Sequence, residues 1–211
     1  MSVHTLIVED NKFASDYFKD MIERQEDFEL CTVLRDAEQA PAYCRLNPVD
    51  LVLMDVQTLH GHSGLTAAGK IKQAFSRIKI VAVTSLVDEQ VLEKAHTAGV
   101  DSLWYKDHGE QEMMEVILST IEGEHIFPQR VPNVEIGNAW SEDLSDIQKG
   151  ILRLYIYGNS YAAIAKQLYI EECTVKYHMN QMIRKCGFST KQQLIAAAIK
   201  SKIVAQLDDR D

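Results

Sequence analysis

The chain has 211 residues, 46% of them hydrophobic and 25% charged, a composition that places it among globular proteins and excludes a disordered chain. Apolar runs such as 51–54 and 80–83 are far too short to cross a bilayer and the first residues lack a signal-peptide pattern, so a cytoplasmic protein without a membrane partner is expected. The net charge of −9 hides an asymmetry: residues 1–122 carry 11 Lys and Arg against 21 Asp and Glu, whereas residues 144–204 carry 9 against 3. An acidic part followed by a basic one suits a chain in which one part holds a cation and the other meets a polyanion.

In chain order, short β-rich runs at 4–8, 29–33, 51–54, 78–83 and 103–105 alternate with segments of helical period at 12–24, 40–46, 64–75, 88–97 and 109–121. Asn11 or Asp10 and Asp88 are candidate helix caps, and Pro41 keeps the second helix from starting much earlier. Five βα units predict an α/β domain over 1–122, a doubly wound five-stranded parallel sheet with its site at the carboxyl ends of the strands. From 123 to 143 the periodicity fails, and Pro128, Pro132 and Gly137-Asn138 interrupt the chain, so this stretch is expected to be a linker. Helices at 144–157, 160–168, 171–186 and 190–204 then predict an all-α four-helix domain over 144–211. Cys31, Cys44, Cys173 and Cys186 lack zinc-site spacing and are expected to be buried free thiols.

Glu9 and Asp10 follow the first β run and Asp55 follows the third, so adjacent strand ends bring three carboxylates together. Converging carboxylates raise one another's pKa, a divalent cation makes them tolerable, and an all-oxygen donor set suits Mg²⁺. Thr84 ends the fourth run and Lys106 follows the fifth, which adds a hydroxyl and an ammonium to the same rim. These are the parts needed to transfer a phosphoryl group onto Asp55, because that chemistry rests on positioning and charge neutralisation.

An acidic pair, an Asp, a Thr and a Lys on strands one, three, four and five give residues 3–122 a resemblance to the receiver domains of two-component systems. The resemblance implies that Asp55 is the phosphoacceptor and that Glu9, Asp10 and Asp55, with the backbone carbonyl of Gln57, ligate Mg²⁺. It further implies that Thr84 is the switch hydroxyl, Lys106 the phosphate clamp, and a sensor histidine kinase the phosphodonor. Three positions depart from the receiver pattern. Thr58-Leu59 stand where most receivers have Met-Pro, the following glycine comes one residue late at Gly64, and Leu103 stands where Tyr, Phe or His is usual, with Trp104 and Tyr105 beside it.

In the C-terminal part, Val175, Met179, Met182, Ile183 and Cys186 fall on one helix face, which is expected to be buried. The opposite face carries Lys176, Tyr177, Asn180, Arg184 and Lys185, a polar and basic stripe able to enter a major groove. Residues 160–189, with Thr174-Val175-Lys176, His178, Lys185 and Gly187 as the most specific matches, resemble the LuxR-type helix-turn-helix. With the receiver, this makes the chain similar to the NarL/FixJ class. The resemblance implies a recognition helix over 171–186 in which Lys176, Tyr177 and Asn180 face base edges of double-stranded DNA. Lys166, Thr174, Arg184 and Lys185 would then face phosphates, and the last helix would form a phosphorylation-promoted homodimer through Leu194, Ala197 and Ile199. Gly150 and Ala163 stand where the family usually has Glu, and Tyr161 where Asn is common.

The expected function is a DNA-binding transcriptional response regulator controlled by phosphorylation of Asp55, and not an enzyme. One alternative is a regulator of the same architecture whose receiver works without phosphorylation, which the altered loop and Leu103 would suit. Another is a Mg²⁺-dependent phosphohydrolase of the haloacid-dehalogenase type, which wants a second Asp where this chain has Gln57.

Overall fold

A computed structural model describes residues 2–106 and 110–204. They form two compact units, one of the residues up to Ser85 with Glu89–Arg130, the other of the residues from Val131 on together with Leu86–Asp88.

In the first unit, β1 (Val3–Val8), β2 (Phe28–Leu34), β3 (Leu51–Asp55), β4 (Lys79–Thr84) and β5 (Ser102–Tyr105) pair in parallel in the order β2-β1-β3-β4-β5. The connecting helices are α1 (Lys12–Glu23), α2 (Ala40–Leu46), α3 (Gly64–Ala74), α4 (Glu89–Ala98) and α5 (Glu110–Glu122). The expected start of the last helix, at residue 109, lies outside the described residues. Helices on both faces bury β3 and β4 almost completely, which is why they read as uninterrupted apolar runs. On one face Ile7, Leu53, Val81, Val83 and Trp104 cluster with Phe18, Met21 and Ile22 of α1 and Met113, Val116 and Ile117 of α5. Each such burial stabilises the fold by about 1.5–3 kcal/mol. Asn11 is the cap of α1, its side chain accepting from the N–H groups of Phe13 and Ala14, so the Asp10 carboxylate is not used there. The register pairs Val8 with Met54, Asp55 with Val83 and Thr84 with Tyr105, which brings the ends of β1, β3, β4 and β5 to one edge.

Parts of the stretch expected to be a linker make regular contacts. The Leu103 N–H donates to the Ile126 carbonyl (2.9 Å) and the Ile126 N–H to Ser102 Oγ (3.0 Å). Ile126 packs on the α1/α5 cluster, and Phe127 stacks on His96 of α4 with ring centroids 4.0 Å apart, so residues 125–127 strap the edge of β5. Further on, β6 (Glu135–Ile136) and β7 (Ala139–Trp140) form a hairpin that turns at Gly137, whose φ of +63° favours glycine. Two-residue strands are too short to show alternation in a sequence. The Asn138 N–H anchors this hairpin on the Cys186 carbonyl (3.0 Å).

The second unit holds α6 (Asp146–Ile156), α7 (Tyr161–Leu168), α8 (Glu172–Lys185) and α9 (Lys191–Lys200) around buried Ile151, Leu152, Ile164, Val175, Met179, Met182 and Leu194. Reciprocal side-chain and backbone bonds between Ser145 and Gln148, and between Thr190 and Gln193, start α6 and α9. Two expectations for α9 are corrected. It stops at Lys200 rather than 204, because the chain turns at Lys202 with a left-handed φ of 56°. Leu194, expected on a dimer surface, is wholly buried in the unit's own core, while Ile199 is 55% exposed. The four thiols are free, but only Cys44 and Cys186 are buried; Cys31 is partly exposed, and Cys173, in the first turn of α8, is exposed. Among the described residues no helix is long and apolar enough to cross a membrane.

Candidate functional site

At the carboxyl edge of the sheet, Glu9, Asp10 and Asp55 each offer a carboxylate oxygen, and these atoms lie within 4.8 Å of one another. Lys106 follows β5 and is fixed by its own N–H, which donates to the Thr84 carbonyl (2.8 Å). Its Nζ lies 2.6 Å from Glu9 Oε2 and 2.8 Å from Asp55 Oδ2, bridging the two acids. The second oxygen of Glu9 accepts from the Asn11 N–H at 3.1 Å, and Asp55 Oδ1 accepts from the Gln57 N–H at 3.4 Å. Thr84, at the end of β4, is fully buried. The five residues expected at this edge are therefore all delivered to it by the strand register. Sequence reasoning missed Arg35, which follows β2 and whose guanidinium donates to the Asp10 carbonyl (3.4 Å); the only signal was a basic residue directly after the second β run.

Burial pushes the Asp55 carboxyl up, to about 7; the Lys106 ammonium opposes that rise and the Glu9 carboxylate adds to it. Burial also works against the Lys106 charge, but Asp55 and Glu9 outweigh it and hold this ammonium above the usual lysine range. One ammonium among three carboxylates leaves an excess of negative charge, which is the electrostatic condition for holding a cation.

The loop from β3 to α3 accounts for the displaced glycine. The Gly64 N–H donates to the Val56 carbonyl (2.9 Å), and Gln57 pairs with Ser63 across the loop. Between them the chain makes a turn at Leu59–Gly61, where His60 and Gly61 have φ of 64° and 80°. A Cβ on Gly64 would lie 1.8 Å from the Asp55 carbonyl oxygen, so the close approach that starts α3 beside the acid requires glycine. Leu103, 2% exposed, is buried, as are Trp104 and Tyr105.

In the helical unit, the left-handed φ of 55° at Tyr169 makes the sharp corner between α7 and α8. Val175, Met179, Met182 and Cys186 are buried and Ile183 partly so, while Lys176, Tyr177, Asn180, Arg184 and Lys185 are exposed. Lys166 of α7 is exposed and Thr174 half-buried. Lys176 pairs with Glu172 (2.7 Å), the Tyr177 hydroxyl accepts from Gln181 Nε2 (2.6 Å), and the Lys185 ammonium donates to the Asp143 carbonyl. Exposed pairs of this kind are weak and exchange readily for contacts with a ligand.

An α/β domain with this set of acids, hydroxyl and ammonium, followed by a helix-turn-helix, defines a response regulator. The sequence model of the response regulator receiver domain matches residues 5–118, and that of the bacterial regulatory proteins of the luxR family matches residues 142–198. The chain belongs to the response regulator receiver family and carries a luxR-family regulatory domain; it is a transcriptional response regulator. The transcriptional regulatory protein YxjL of Bacillus subtilis (strain 168) is 25% identical over 213 residues, covering 96% of this chain and 97% of YxjL. The response regulator protein VraR of Staphylococcus epidermidis is 26% identical over 210 residues, covering 97% of this chain and all of VraR. Among solved structures, the fold is similar to that of RcsB in an RcsB–DNA complex (TM-score 0.61, 16% identity, 95% of this chain and 99% of RcsB). It is also similar to ChrA, from a heme-sensing two-component system (TM-score 0.52, 20% identity, 96% of this chain and 99% of ChrA).

Proposed function

We propose that phosphorylation of Asp55 controls DNA binding by this regulator. The observation that carries the reading is Lys106 Nζ held between Glu9 and Asp55 within a cluster of three carboxylates at the sheet edge. With a sensor histidine kinase as donor, an Asp55 carboxylate oxygen attacks the phosphorus of a phosphohistidine, the N–P bond breaks, and the imidazole leaves. Lys106, released from Asp55, takes one phosphoryl oxygen, and the Thr84 hydroxyl at the end of β4 takes another. The carboxylates of Glu9, Asp10 and Asp55 and the carbonyl of Gln57 are the donors for Mg²⁺, whose preference for oxygen they fit and whose charge offsets that of the phosphoryl group. A phosphorylation-independent regulator is the second reading, favoured by buried Leu103 at the position of the usual switch ring.

Burial keeps a proton on Asp55 up to about pH 7, and that proton would have to leave before the carboxylate could help to hold Mg²⁺. Its apparent affinity is therefore expected to fall as the pH drops through that value, by up to about tenfold per pH unit, and to level off above it. Calorimetric titrations in buffers of different ionisation enthalpy should find close to one proton released per ion at pH 6 and almost none at pH 8.5. Equal proton release at both values would place the bound ion elsewhere.

On the DNA side, Lys176, Tyr177 and Asn180 meet base edges, and Lys166, Thr174, Arg184 and Lys185 meet phosphates, with the phosphorylated protein pairing as a homodimer over two half-sites. Binding is to be titrated on a duplex enriched from a random pool and on its scrambled counterpart, at several salt concentrations. Lys176→Ala and Asn180→Ala are expected to lose about tenfold to a hundredfold on the enriched duplex and much less on the scrambled one. Arg184→Ala is expected to weaken both alike and to lower the salt slope by about one. Equal losses on both duplexes for the first pair would remove them from base reading.

A further inference from the structure

Beside the loop that carries Gln57 lies a second cluster of donors, which the phosphorylation chemistry does not use. Asp36 follows β2 and starts a short turn over Ala37–Gln39, its Oδ1 accepting from the Glu38 N–H at 2.9 Å. His62 ends the β3–α3 loop with its Nδ1 2.7 Å from Asp36 Oδ1 and 3.6 Å from Glu38 Oε2. One donor atom from each of the three residues lies within 4.8 Å of the other two. Main-chain bonds fix their positions independently of the ion pair. The Leu59 N–H donates to the Arg35 carbonyl (3.2 Å), the Ala37 N–H to Thr58 Oγ1 (3.0 Å), and both the N–H and the hydroxyl of Thr58 to the His62 carbonyl (3.1 Å each).

A plain surface ion pair would need only Asp36 and His62. Here a second carboxylate converges, and the exposed His60 ring, on a residue held at a left-handed φ of 64°, stands beside the cluster with its centroid 5.9 Å from that of His62. Among the described residues neither Asp36 nor Glu38 pairs with a lysine or arginine. Among the described residues, His4 of β1 is also bound by two acids and shows the contrast. Asp50 meets its Nδ1 and Glu29 its Nε2, opposite sides of one ring, so a single ion cannot take both acids.

We propose that Asp36, Glu38 and His62 form a binding site for a borderline divalent transition ion of the Zn²⁺ type, whose fourth position the neighbouring His60 ring has to turn to reach. Imidazole nitrogens with carboxylate oxygens are the donors such ions select, and two carboxylates with two neutral imidazoles balance the charge of one divalent cation. Bonds of about 2.0–2.2 Å in a tetrahedron put donors about 3.3–3.6 Å apart. The His62–Glu38 separation already fits, and the His62–Asp36 contact has to open by roughly 0.6–0.9 Å. The ion takes the place of the hydrogen between His62 Nδ1 and Asp36, and that hydrogen moves to Nε2 of the same ring, so the imidazole stays neutral. An ion here would pin the loop that carries Gln57; its effect on labelling of Asp55 rests on the function proposed above, whereas the binding itself does not.

The test is calorimetric titration of the full chain with Zn²⁺ in saturating Mg²⁺, which occupies the Glu9, Asp10 and Asp55 cluster. One ion per chain is expected in the micromolar range or tighter. His62→Gln, which keeps a donor toward Asp36, and the exposed Glu38→Gln should each weaken binding by at least about tenfold, the loss that follows removal of even an outer-shell partner. His4→Gln and Asp55→Asn should bind as the parent does, so loss of this site and failure of the phosphorylation reading give different results. Co²⁺ in place of Zn²⁺ should give visible bands without a near-ultraviolet thiolate band. No ion bound, an affinity indifferent to both His62→Gln and Glu38→Gln, or a thiolate band that moves the ion to a cysteine would each overturn the proposal.

Discussion

Asp55→Asn is expected to abolish phosphoryl transfer: incubated with Mg²⁺ and acetyl phosphate, the parent gains one phosphoryl mass per chain and the variant gains none. The substitution keeps the side chain's size and removes the nucleophile, while the Lys106 ammonium retains Glu9 at 2.6 Å, so the fold is expected to survive. Asp55 is the acid at the end of β3, where Lys106 and the Gln57 N–H both reach its carboxylate. Intact-mass spectrometry decides between the readings. A variant labelled as fast as the parent would move the phosphoacceptor elsewhere, and a parent that gains no mass would favour the phosphorylation-independent regulator.

The second large effect is expected at Gly64, where alanine should destabilise the receiver by about 3 kcal/mol or more. Its methyl group would fall 1.8 Å from the Asp55 carbonyl oxygen, a backbone atom that cannot swing aside as a side chain can. Gly69 gives the control of opposite sign. It lies inside α3, and a Cβ there meets only Ala98, at 3.9 Å, so Gly69→Ala should gain up to about 1 kcal/mol from helix propensity. Urea unfolding followed on the receiver should move the midpoint down for Gly64→Ala and up for Gly69→Ala. An unchanged midpoint for the first would mean that the loop relaxes without resistance.

The acid cluster was legible in the sequence because each of its members directly follows or ends a β run, and parallel strands with helical crossovers leave little choice of where those ends meet. The recognition stripe was legible for a similar reason, since Val175, Met179 and Met182 fix the buried face and thereby the exposed one. Leu194 was misplaced because helical periodicity marks an apolar face without saying whether it turns inward or toward a second chain. The hairpin at 135–140 escaped notice because its strands have two residues each. The Asp36–His62 contact joins residues 26 apart in sequence through two loops, and no local pattern specifies such a meeting. The late glycine was legible only as a departure from the receiver pattern; the left-handed turn at His60 and Gly61 that precedes it was not.

The strap at residues 125–127 determines where the chain can be divided. A receiver fragment ending at residue 122 would leave the Leu103 N–H and Ser102 Oγ without Ile126 and would strip the cover from the rim of the sheet. A bare strand edge offers unpaired backbone groups to any other chain, so such a fragment would tend to associate in ways the whole protein does not. A receiver prepared on its own has to run through Phe127, which keeps the stack on His96 as well.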